Sequence, residues 1–137
     1  MPSPFQKPPF TWRRKFGYAF RGLAVGVRGE RSFIVHFTAA IAVIVAAGLL
    51  GCTLVEWCVL FIAIGGVLTA EVFNRAIERL ASAITSDENA DIRDALDIAA
   101  GAVLMASATS VVVGLAVLGY RVWLLSLTYS VFCGRGL

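Results

Sequence analysis

Beyond Pro9 the chain contains no proline, since its four prolines are Pro2, Pro4, Pro8 and Pro9. Nothing after that point breaks a helix through ring geometry or a missing N–H. Charge is also scarce: 15% of residues are Asp, Glu, Lys or Arg, against about a quarter in ordinary soluble domains. The formal net charge of +3 is too small to suggest a nucleic-acid binder. Cys52, Cys58 and Cys133 lack ligand-like spacing and sit among apolar neighbours, so each is expected to act as a small hydrophobe. His36 stands alone in an apolar run, where a packed histidine is the expectation, and no second ligand lies at metal spacing from it. A Walker-type glycine loop, a paired CxxC and a nucleophile elbow are all missing, so a nucleotide would need another device to hold it.

What is abundant is apolar surface. A hydrophobic fraction of 58% and a mean hydropathy of +0.80 over 137 residues indicate one membrane domain. Residues 1–11, which hold every proline, read as a disordered leader. From Trp12 to Arg31, Trp12, Phe16, Phe20, Leu23 and Val27 recur at helical spacing opposite a basic surface, which predicts an amphipathic helix lying on the membrane. Three spans follow: Ser32–Gly51, an uncleaved anchor; Val55–Phe73 with a polar continuation to Ala81; and Ile98–Tyr120. Each supplies about the twenty residues that a crossing needs. The tail 121–137 is apolar but too short for a further crossing and is expected in the outer interface.

Seven of the twelve Lys and Arg precede residue 32, and Arg75, Arg79 and Arg93 flank the second connection. Both regions are therefore expected on the cytoplasmic side. Trp57, Tyr120 and Trp123 then fall at the outer interface, where amphipathic aromatics are favoured. The third span is rich in small residues, which suits close helix packing and oligomers.

The second span carries the chemistry. Glu71, Asn74 and Glu78 lie three and seven residues apart, within about 60° of one another on a helix and over roughly 10 Å of its axis. Arg75 falls on the same face, four residues after Glu71 and three before Glu78, where it can pair with either carboxylate. A carboxylate carried deep into a span costs about 2.5 to 3.5 kcal/mol on insertion scales, so Glu71 calls for a function. Glu30, before the first span, and Asp97, before the third, reach the same membrane edge as Glu78. Carboxylates gathered there suit Mg²⁺, which takes one or two protein oxygens and completes its shell with phosphate and water. Taken singly, Glu30 could equally pair with Arg28 or Arg31, and Asp97 with Arg93 or the helix dipole.

The segments "GERSFIVHF", "EWCVLFIAIGGVLTAEVFNRAIE" and "LDIAAGAVL" resemble, in order and spacing, the bacterial diacylglycerol kinase and undecaprenol kinase family, over about residues 16–118. The most specific match is Glu71, Asn74, Ala76, Ile77 and Glu78 against Glu-x-x-Asn-Thr-Ala-Ile-Glu, followed by Asp97-Ile98-Ala99-Ala100. The resemblance implies an all-α membrane protein, a surface helix plus three transmembrane helices, assembled as a homotrimer in the bacterial inner membrane with its N-terminus cytoplasmic. It implies phosphoryl transfer from MgATP to the hydroxyl of diacylglycerol or undecaprenol. Carried over by residue, Glu71 becomes the general base, Asn74 its support, Glu30 and Glu78 the Mg²⁺ ligands, and Asp97 a contact to ATP.

Three positions depart from the family pattern. Leu96 stands where the family has a lysine, Arg75 where it has a threonine, and Ser82 where an acidic residue is usual. Charge neutralisation is most of what phosphoryl transfer asks of a protein. In a working kinase Arg75 or Arg93 would replace the missing cation, Arg being well suited to phosphate. Two other readings stay open on the same residues: a lipid- or nucleotide-binding scaffold with little activity, and a small transporter using Glu71 for proton coupling.

Overall fold

The computed structural model describes residues 11–28, 31–84 and 89–133, and within them every regular element is an α-helix. Residues 1–10 of the leader, Glu30 and residues 85–88 of the second connection lie outside the described residues. In chain order the helices are α1 (Trp12–Val27), α2 (Arg31–Leu49), α3 (Leu54–Ile84) and α4 (Ala90–Cys133). The last three are long and apolar enough to cross a membrane.

Local chemistry explains the ends. The surface helix was expected to reach Arg31 but stops at Val27, and Arg28 adopts extended backbone. At the other end of α2, Gly51 takes φ +65°. Its N–H bonds the Gly48 carbonyl at 3.3 Å, and the Cys52 N–H bonds that of Ala47 at 3.1 Å. This is the paired C-terminal closure that a left-handed glycine permits. Thr53 then caps α3, and Glu56 reaches back to the Thr53 N–H at 2.6 Å as the Thr-x-x-Glu spacing dictates. Asn89 starts α4 by accepting from the N–H groups of Asp91 and Ile92 at 2.9 and 3.3 Å.

The core is a narrow seam. On α3 the buried residues Leu60, Val67, Asn74 and Ala81 repeat every seven positions, and on α2 Phe33, Ala40 and Ala47 do the same. A seven-residue repeat keeps one stripe facing a neighbouring helix. Most other large apolar side chains are exposed, as expected where lipid replaces water. Helix α4 packs chiefly against α3, with α2 touching both more lightly. Ser110 Oγ donates to the Ala63 carbonyl at 2.9 Å across the antiparallel α3/α4 pair. The third span was expected to end at Tyr120, but α4 continues unbroken to Cys133. No glycine or proline separates Tyr120 from Cys133. Ser126, Thr128 and Ser130 bond carbonyls of their own helix.

Candidate active site

The polar stripe sits where α3 approaches its C-terminal end. The seam positions its members: Asn74 occupies the place that Leu60 and Val67 hold in earlier heptads, and Glu71 precedes it by three residues. Glu71 is 2% exposed and Asn74 8%. Glu78, two turns on, has a side chain 36% exposed. One helix thus presents a buried carboxylate and an accessible one about 10 Å apart along its axis.

Arg75 links the two. Its Nη1 bonds Glu78 Oε2 at 2.5 Å, while its Nε lies 3.8 Å from Glu71 Oε1. Asn74 Nδ2 donates to Glu78 Oε1 at 2.7 Å. The amide therefore supports Glu78 directly, not Glu71, where the sequence reading had put its support. Asn74 Oδ1 is buried with no hydrogen-bond partner among the described residues. Glu71 has a second neighbour, one expected from the sequence only to pack: His36 Nε2 on α2 stands 3.9 Å from Glu71 Oε2. Both contacts to Glu71 exceed hydrogen-bond length, so its oxygens keep acceptor capacity. His36 could have been found from spacing, because it lies three residues after Phe33 and four before Ala40 on the buried face of α2.

Two further elements reach this end. Arg79 Nη2 donates to the Val25 carbonyl at 3.1 Å, docking α1 onto α3. Asp97 and Arg93 are exposed on α4 and make no hydrogen bond or ion pair to the cluster among the described residues. The Ser110–Ala63 bond and the Arg121–Glu56 pair set an antiparallel register, and its continuation brings Asp97 level with Glu78. Leu96 is half-buried beside it. At the opposite end of the bundle Arg121 forks onto Glu56, with Nε at 2.9 and 2.8 Å from the two carboxylate oxygens and Nη2 also bonded to Oε2. The sequence reading missed that pair. Its visible signs were the Thr53-x-x-Glu56 capping spacing and a lone arginine in an apolar run.

No ready-made set of three or more His, Cys, Asp or Glu ligands exists among the described residues. A partly exposed Glu78 carboxylate beside the unpartnered Asn74 oxygen nevertheless fits a hard cation that takes few protein oxygens and keeps phosphate and water.

Fold and site together define a multi-pass helical membrane protein whose buried and accessible carboxylates are concentrated at one end. The model of the prokaryotic diacylglycerol kinase family matches residues 17–118, and the chain belongs to that family of membrane lipid kinases. It is 36% identical over 102 residues to the undecaprenol kinase of Bacillus subtilis (strain 168), covering 74% of this chain and 83% of that protein. It is 33% identical over 100 residues to the diacylglycerol kinase of Synechocystis sp. (strain ATCC 27184 / PCC 6803 / Kazusa), covering 72% of this chain and 57% of that one. No solved structure matches the chain significantly.

Proposed function

We propose that this protein transfers the γ-phosphoryl group of ATP to the hydroxyl of a membrane lipid, diacylglycerol or undecaprenol, at the cytoplasmic face of the bacterial inner membrane. The observation that carries the reading is the division between a buried Glu71 and a half-exposed Glu78 on one helix face. A lipid alcohol arrives from the bilayer and a nucleotide from water, so the two reactants need carboxylates at different depths. Glu71 accepts the hydroxyl proton as the oxygen attacks the γ-phosphorus, and ADP departs. Its acceptor capacity suits that step, with His36 and Arg75 nearby at 3.9 and 3.8 Å.

Glu78, together with Glu30, would hold Mg²⁺, which supplies charge neutralisation for the phosphates. Asn74 orients Glu78 through its 2.7 Å bond. Asp97 and the exposed Arg93 face the nucleotide. Arg75 ties the base to the metal-binding carboxylate. A homotrimer is the proposed assembly, with the small residues of α4 favouring close helix contacts.

The test is transfer from labelled ATP with Mg²⁺ in mixed micelles, each lipid alcohol being supplied in turn. Glu71→Gln should lower turnover by about a hundredfold or more, because the amide cannot take the proton, while nucleotide binding stays near that of the parent. Turnover equal to the parent's would remove Glu71 from the base role. No transfer to either alcohol by an intact oligomer would favour a binding scaffold.

A further inference from the structure

We infer that Glu56 and Arg121 are positioning residues: a clamp at the far end of the α3/α4 pair that sets the register of α4, and with it the height of Asp97 and Arg93 against Glu78. The consequence for the nucleotide rests on the proposed kinase function; the register itself does not.

Helices α3 and α4 are joined in sequence only at the end that carries Glu78, through residues 85–89. At the opposite end nothing covalent holds them together. Between the two ends the α4 residues that line the groove shared with α2 and α3 include the small Ser107, Ser110 and Gly114, facing Ala63 as well as the larger Leu60 and Val67 of α3. Small residues on the α4 side let the backbones approach but present shallow ridges, which leaves polar links a share in fixing the register. Among the described residues two polar links span the pair. One is the single bond from Ser110 to the Ala63 carbonyl. The other is the Arg121 fork, with three donor–acceptor contacts to one carboxylate.

That carboxylate is itself immobilised. Thr53 donates to Glu56 Oε2 from its N–H at 2.6 Å and from its hydroxyl at 2.7 Å. Glu56 and Arg121 side chains are only 17% and 18% exposed. A planar fork on a fixed carboxylate specifies rotation as well as height, which a lone ammonium would not. Arg121 stands about 36 Å along α4 from Asp97, and a one-residue slip would turn Asp97 by about 100° away from Glu78. Arg121 lies beyond the family match at residues 17–118.

The experiment uses full-length protein in micelles carrying Glu56→Gln, Arg121→Gln, or the reciprocal pair Glu56→Arg with Arg121→Glu. Register is read by oxidising Ala63→Cys with Ser110→Cys, in register, against Ala63→Cys with Ser107→Cys, slipped by about one turn, the bonds being assigned by peptide mass. The parent should favour the 63–110 bond. Each single charge variant should shift the ratio toward 63–107 by about threefold or more, and the reciprocal pair should return it. In parallel, the single variants should raise KM for ATP about fivefold with KM for the lipid unchanged, and the reciprocal pair should recover most of the loss. Unchanged crosslinking ratios in both single variants overturn the clamp, whatever the kinetics. A register shift that leaves KM for ATP untouched upholds the clamp and instead removes Asp97 and Arg93 from the nucleotide. Equal loss of both KM values together with loss of the folded oligomer, unrescued by the reciprocal pair, would make the pair merely structural and overturn the positioning role.

Discussion

Arg75 is occupied by two carboxylates, whereas Arg93 is exposed with no partner among the described residues, and this difference decides which arginine can take the place of the family lysine. A guanidinium held at 2.5 Å by Glu78 has little left to offer a phosphate; a solvated one near the level of Asp97 has its whole fork. Arg93→Ala should therefore raise KM for ATP by about tenfold. Leu96→Lys in that background should restore most of it, because a lysine stem can lie along the half-buried surface while its ammonium reaches water. ATP titrations of the single and double variants check this. Parental ATP affinity in Arg93→Ala would return the task to Arg75. Loss of Arg75 should act differently, lowering turnover more than ATP affinity, since it frees Glu71 and Glu78 from their shared charge.

At the scale of elements, each helix end has its own chemistry, and the α2–α3 turn depends most on one residue. Gly51 sits at φ +65°, and a Cβ built there would meet nothing within 4 Å. Any cost of Gly51→Ala is therefore backbone strain alone, about 1 kcal/mol. Thermal unfolding in micelles should show a small destabilisation with the kinetic constants preserved, because the turn lies at the end remote from Glu71. The two ends of the hairpin divide the labour in the same way. Glu56 and Arg121 hold geometry at one, and Glu71, Asn74, Arg75 and Glu78 gather polar chemistry at the other.

For the whole molecule, length is the controlling quantity. From Asp97 to Arg121 α4 measures about 36 Å, against about 30 Å of hydrocarbon. With the headgroup regions the bilayer measures about 40–45 Å, so both charges stay at the interfaces from an upright α4 to a tilt of about 35°. Infrared dichroism on oriented bilayers should report an α4 tilt of no more than about 35°; a larger tilt would draw one of those charges into the hydrocarbon. Much of this organisation was legible beforehand. The absence of proline beyond Pro9 and the apolar runs specify four helices, and the three- and seven-residue intervals place Glu71, Asn74 and Glu78 on one face. Those are periodicities within a single helix, set by backbone geometry that any sequence obeys. The pairing of His36 with Glu71, the bond from Asn74 to Glu78 in place of Glu71, and the Arg121 fork on Glu56 were decided only in the tertiary structure. Each depends on side-chain rotamers or on the rotation and register of one helix against another. In apolar spans built from interchangeable small residues, many registers share the same hydrophobic pattern, and only a few polar contacts choose among them.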